Sequence, residues 1–86
     1  MYLSVNKKQV AIVKNEHTFF VGNDKIEVVV NLYEHNGVHK MTSWLNGVEE
    51  LNTITYQGNV DDVKEITKAM EKLVKDNEEY ILDIAS

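Results

Sequence analysis

His17, His35 and His39 are the only imidazoles in the chain, and the last two stand four residues apart. On a helix that spacing would place two metal ligands on one face. The residues between them argue for a different element. Asn36-Gly37 is the strongest short-range signal for a two-residue β-hairpin turn, with positive φ at both central positions. Around such a turn His35 lies opposite Val38 and Glu34 opposite His39. The two histidines then differ in parity along the pleat and point to opposite faces. Glu34 and His39 are expected to form a surface ion pair worth less than about 1 kcal/mol. His17 belongs to another strand, so no metal site is expected.

The other chemistries are equally short of parts. Ser4, Ser43 and Ser86 lie in no nucleophile-elbow context and lack a recognisable base. The carboxylate pairs Glu49-Glu50, Asp61-Asp62 and Glu78-Glu79 fall where the pattern predicts turns and element ends, and water there leaves nothing to raise one partner's pKa. The four glycines are isolated, which excludes a phosphate-cradling loop and a dinucleotide fingerprint. Without cysteine there is no disulfide, thiolate zinc site or thiol nucleophile. No catalytic residue and no cofactor are expected.

Charge narrows the partners. The net charge is −5, and all nine cations are lysine. Lacking arginine, the chain has no guanidinium fork for phosphate or guanine, and direct nucleic-acid binding is not expected. Residues 1–58 carry five lysines and six acids, whereas residues 59–86 carry four lysines and eight acids. No apolar run approaches the ~20 residues that cross a bilayer. The first residues place charge after the apolar positions, the reverse of a secretory leader. A cytoplasmic protein is expected. Nine asparagines and nine lysines beside no arginine also suggest an AT-rich genome, of bacterial or phage type.

The elements that would position these residues follow from hydrophobic period. Eighty-six residues support a single domain, 1–86, with a folded surface of roughly 5,200 Å² and about 64% of the extended chain's surface buried. Period-two stretches occur at Tyr2–Val5, Gln9–Lys14, His17–Val21, Lys25–Tyr33, Val38–Leu45 and Leu51–Tyr56, the last after a solvated loop at Asn46–Glu50. From Asn59 the period becomes helical. Val60, Val63, Ile66, Met70, Leu73 and Val74 form one stripe, with Asn59 as N-cap and Asn77 as a left-handed C-cap. Tyr80, Leu82 and Ile84 alternate again and predict a final strand. The fold expected is α+β: five to seven short strands in a mostly antiparallel, meander-like sheet, packed against one amphipathic helix near residues 60–75 and followed by a C-terminal strand. The expected core is Val10, Ile12, Phe19, Val28, Val30, Leu32, Met41, Leu45, Val63, Ile66, Met70 and Leu73.

Two features exceed a solvated surface. The hairpin register puts Val28, Val30, Leu32, Met41 and Leu45 on one face and Val29, Tyr33 and Trp44 on the other. An outer sheet face should be polar. Either the first three strands close over it as a small sandwich or roll, or another molecule does. Tyr and Trp are enriched among interface anchors, so Val29, Tyr33 and Trp44 are the expected protein-interface residues, in a homodimer or a larger assembly. The second feature is the acidic C-terminal third. Asp61, Asp62, Glu65, Glu78 and Glu79 could present a field that imitates nucleic acid to a basic partner, although four lysines interleave with them.

Overall fold

Asn36 and Gly37 both take positive φ, 53° and 77°, and the strands they join pair in the register expected of that turn. The structure, a computed structural model, describes residues 2–5 and 8–85, with side-chain environments from residue 12 onward. Strands β1 (Tyr2–Val5), β2 (Lys8–Val21), β3 (Ile26–His35), β4 (Val38–Leu45) and β5 (Glu49–Thr55) are followed by helices α1 (Val63–Asp76) and α2 (Glu78–Ile84). The body of the sheet is the antiparallel meander β2-β3-β4-β5, and the short β1 pairs along the outside of β2. The chain is α+β.

The core lies between this sheet and α1. Val28, Val30, Leu32 and Met41 are fully buried on the helix side, facing Ile66, Met70, Leu73 and Val74. Each such side chain stabilises by about 1.5–3 kcal/mol through burial alone. Val21, Tyr56 and Ile81 complete the cluster. Two expected core residues are exposed instead. Ile12 pairs with Glu34 at the Asn36-Gly37 end of the sheet, away from the core cluster. Val63 opens α1, and the half-buried Val60 just before it packs on the core. Phe19 and Leu45 are half-buried, and Val10 lies outside the described side chains.

Several element boundaries differ from expectation for local reasons. Gln9–Lys14 and His17–Val21 are one strand, interrupted only by a bulge near Lys14. They extend the sheet sideways beside β3 and do not form a layer over it. At the second Asn-Gly the turn is tight: the Val48 N–H donates to the Leu45 carbonyl (3.0 Å), and Glu49 and Glu50 lie within β5, not in a loop. The N-cap of α1 is Asp62, whose Oδ1 accepts from the N–H groups of Lys64 (3.1 Å) and Glu65 (3.2 Å). Asn59 is used one turn earlier, its Oδ1 accepting from the Asp61 N–H at 2.9 Å.

The C-terminal strand is a helix. Asn77 stays at φ −108°, outside the left-handed region, and its Nδ2 donates to the Leu73 carbonyl at 3.0 Å. The chain therefore re-enters a helical turn, closed by the Ile81 N–H to the Asn77 carbonyl at 2.9 Å. Glu78 and Glu79 then occupy the first turn of α2, where the helix dipole favours them. Only Ile81 of this segment is buried; Tyr80, Leu82 and Ile84, the alternating residues, are all exposed. Gly22, at φ 75°, closes against α2: a Cβ there would lie 2.7 Å from Leu82 Cδ2.

The accessible surface is 5893 Å², above the roughly 5,200 Å² of a chain this size, and the shortest extent is 17 Å against 36 and 31 Å. Both values fit two layers. Ile81→Ala is expected to lower stability by about 2–4 kcal/mol in urea unfolding, while Tyr80→Ala and Ile84→Ala cost under about 1 kcal/mol each. A strand at this position would reverse the order.

Candidate protein-binding face

The register sorts the sheet face opposite the helices into rows. Phe20 pairs with Glu27; Thr18, Val29, Trp44 and Glu50 form the next row; then Glu16, Asn31, Thr42 and Thr53; then Val13, Tyr33, Lys40 and Thr55. Directly opposed side chains in such rows have Cβ atoms about 4.5–5.5 Å apart. Val29, Tyr33 and Trp44 therefore do share this face, but they differ in exposure. Val29 and Trp44 are half-buried, whereas Tyr33 is buried.

Tyr33 belongs to a chain of hydroxyls crossing three strands. Its phenol oxygen is 2.9 Å from Thr42 Oγ1, which is 2.8 Å from Thr53 Oγ1, which donates to Glu50 Oε1 at 2.9 Å. Counting protons gives the direction. Thr53 commits its hydrogen to Glu50 and so accepts from Thr42; Thr42 then accepts from Tyr33. Each hydroxyl donates once, and the series ends on a carboxylate. Beside it, Asn31 Nδ2 donates to Glu16 Oε2 at 2.6 Å. These bonds explain how Asn31, Tyr33 and Thr42 are buried on a face with no helix over it. The polar rows cover themselves.

The row containing Trp44 is different. Its indole N–H is buried and has no hydrogen-bond partner among the described residues. Since Nε1 is the only polar atom of the side chain, whatever the indole exposes is carbon. Phe20 is 65% exposed and adjoins this row diagonally. The β4–β5 turn closes the same end: the Asn46 N–H donates to the Glu27 carbonyl at 2.9 Å, and a Cβ on Gly47 would meet Val29 Cγ2 at 3.6 Å. Val48 follows directly and is 81% exposed. The apolar patch is thus Phe20, Val29 and Trp44, with Val48 exposed in the turn that closes its end. Phe20 and Val48 are additions to the expected set. Phe20 was accessible to reasoning, because two adjacent phenylalanines on a strand cannot both face the core. Val48 follows only from the tight turn.

The remaining candidates are dispersed. Glu34 Oε1 stands 3.9 Å from His39 Nε2, the surface pair expected. His17 packs against Phe19 in a tilted arrangement, with ring centroids 4.5 Å apart. Among the described residues no three His, Asp or Glu are placed to hold a metal ion. Asp61, Asp62 and Glu65 gather at the start of α1, and Glu78 and Glu79 start α2. About 21 Å of helix separates the two groups. Lys64 lies within the first group, and exposed Lys68, Lys72 and Lys75 alternate with Glu71 and Asp76 between the two, with Lys72 Nζ 2.8 Å from Asp76 Oδ2. An open groove of about 240 Å³ between Phe19, Phe20, Val74 and Lys75 is below the usual size of a small-molecule site, and a larger depression of about 540 Å³ is open surface along α2, lined by Glu79, Tyr80, Leu82 and Asp83.

One buried ionisable group stands out. Tyr56 donates its O–H to the Asn59 carbonyl at 3.0 Å. Gly58 packs so tightly on it that a Cβ would lie 2.6 Å from the phenol oxygen and in collision with Glu65 Oε1. Burial pushes the Tyr56 phenol above its ordinary value of 10.0, and the negative charges of Glu65 and Asp62 push the same way. Comparison with known protein families, curated proteins and solved structures finds no match to this chain.

Three substitutions test this arrangement. Thr42→Val strands the buried Tyr33 hydroxyl and is expected to cost about 1–3 kcal/mol in urea unfolding. Ser43→Ala should be neutral or stabilising by up to about 1 kcal/mol, because the fully buried Ser43 Oγ has no partner among the described residues. For Tyr56 the expectation concerns pH. The unfolded phenol loses its proton near pH 10 and the folded one at higher pH, so the stability tied to that proton is complete below pH 10 and disappears as pH rises through the folded value. Tyr56→Phe should be less stable at neutral pH yet lose less stability between about pH 10 and 12, read by denaturant unfolding at each pH.

Proposed function

We propose that this chain is a small, non-catalytic protein-binding protein of the cytoplasm, and that it engages another protein molecule through the sheet face opposite its helices. One observation supports the reading above the rest. In a two-layer fold whose polar rows are satisfied among themselves, one end of the outer face presents Phe20, Val29 and Trp44 beside a turn that exposes Val48, with the indole offering carbon only. Contiguous apolar surface of this kind on a small domain marks an interaction site. Val29 and Trp44 are the inner anchors, Phe20 and Val48 the exposed flanks, and Tyr33 holds the neighbouring row in place. A standard interface takes about 800 Å² per partner, roughly one seventh of the 5893 Å² this chain exposes.

The reading is tested by a photo-crosslinking amino acid placed singly at Phe20, Val48, Lys68 and Lys72 in cells that express the protein. Crosslinks to protein from positions 20 and 48, and few from 68 and 72 on the outer face of α1, are the expected result. Equal yields from all four positions, or none from 20 and 48, would overturn it. Trp44→Ala should abolish those crosslinks while the protein remains folded.

A further inference from the structure

Resting on that reading, the distribution of charge around the patch names the chemistry of the partner. Three carboxylates border Val29 and Trp44 on the same face. Glu50 is the direct cross-strand neighbour of Trp44, Glu27 is two residues before Val29 on β3, and Glu16 is two residues before Thr18, in the row beside it. Each is exposed. Opposed and diagonal neighbours on a sheet lie about 5–8 Å apart, so the three charges sit within one side-chain length of the apolar centre. Among the paired rows of this face the first lysine is Lys40, two rows away beside Tyr33, and a nearer cation, Lys25, stands in the β2–β3 turn two residues before Glu27, beyond the patch. Lys40 is about 13 Å away along β4, beyond the Debye length at physiological salt.

We propose that this end of the face receives a basic protein segment, with an apolar side chain seated on Val29 and Trp44 and flanking lysine or arginine side chains directed to Glu16, Glu27 and Glu50. A cation beside the indole also gains from its π face. A second copy of the chain fits less well. Superposing the patch on itself sets three carboxylates against three, in a protein of net charge −5. The acids of the two helices belong to the other layer, and of these Glu71 and Glu78 border a groove with Phe20 but not Val29 or Trp44.

Trp44 is the only tryptophan, so its fluorescence reports the site directly. The probe is a synthetic nonapeptide of alternating leucine and lysine, titrated into the intact protein beside leucine–serine and leucine–glutamate peptides of equal length. Saturable binding of the lysine peptide, at least tenfold tighter than the serine peptide and weakened at least fivefold from 50 to 300 mM salt, is expected. The triple variant Glu16→Gln, Glu27→Gln, Glu50→Gln keeps the hydrogen-bond acceptors and should bind at least tenfold more weakly. The control triple Glu34→Gln, Glu65→Gln, Glu79→Gln removes the same charge at positions away from the patch and should bind as the parent does. The proposal is overturned if the two triples weaken binding equally, if the serine peptide binds as tightly, or if the lysine peptide does not bind. It is also overturned if the molar mass in solution is that of a dimer that Trp44→Ala dissociates. In any of these cases crosslinks from positions 20 and 48 would still uphold the face as a protein-binding surface, and their absence would remove that surface independently of its charge.

Discussion

The Asn36-Gly37 turn is the constraint on which the rest of the molecule depends. Two consecutive residues at positive φ match the twist of the strands they join, and they leave β3 and β4 a single register. Because side chains alternate with period two, that register determines which face every residue of the central hairpin occupies. A slip of β3 by one residue would turn Asn31 and Tyr33 against α1 and put Val28, Val30 and Leu32 into water. The hydrophobic difference between those arrangements is several side chains at about 1.5–3 kcal/mol each, larger than the net stability of many domains of this size. The flanking strands inherit their parity from this pair.

Covering one face of the sheet with α1 and α2 leaves the other face to look after itself. It does so unevenly. Toward the Asn36-Gly37 end, hydroxyl and amide side chains bond across strands, and the donor series from Tyr33 to Glu50 leaves no buried proton unplaced along it. Toward the opposite end Phe20, Val29 and Trp44 stand among Thr18, Glu27 and Glu50, and the indole N–H is buried without a partner among the described residues. A buried donor left unpaired costs about 1–3 kcal/mol, so Trp44 is not where stability alone would put it. That local inconsistency, on an outer face where buried Asn31, Tyr33 and Thr42 are all hydrogen-bonded, is the kind that functional surfaces carry.

Charge is organised by the same geometry. The acidic C-terminal third looks like one feature in the sequence, yet α1 separates its two ends and exposed lysines divide them. Glu16, Glu27 and Glu50 are scattered along the sequence on three different strands, and the register brings them around one patch. Linear charge density and surface field are therefore different quantities in this protein.

How much was legible follows from what each element depends on. The class α+β, the Asn-Gly turns, the parity of Val29 against Val30 and the stripe Ile66-Met70-Leu73 rest on local rules of turn chemistry and period, which a sequence carries by itself. The last segment could not be read that way. Glu78–Ile84 alternates like a strand, but no sheet edge is taken up by it, and one residue, Ile81, gains full burial only because α1 has already been placed. The N-cap moved from Asn59 to Asp62 for a similar reason: Tyr56 holds the Asn59 carbonyl, and the half-buried Val60 packs on the core ahead of the first turn. Burial of Tyr33, exposure of Val48 and the gathering of three distant glutamates are likewise properties of packing. Local preference determines what an element is; only the assembled sheet and helices decide which of its residues meet water, because burial is set by neighbours far away along the chain.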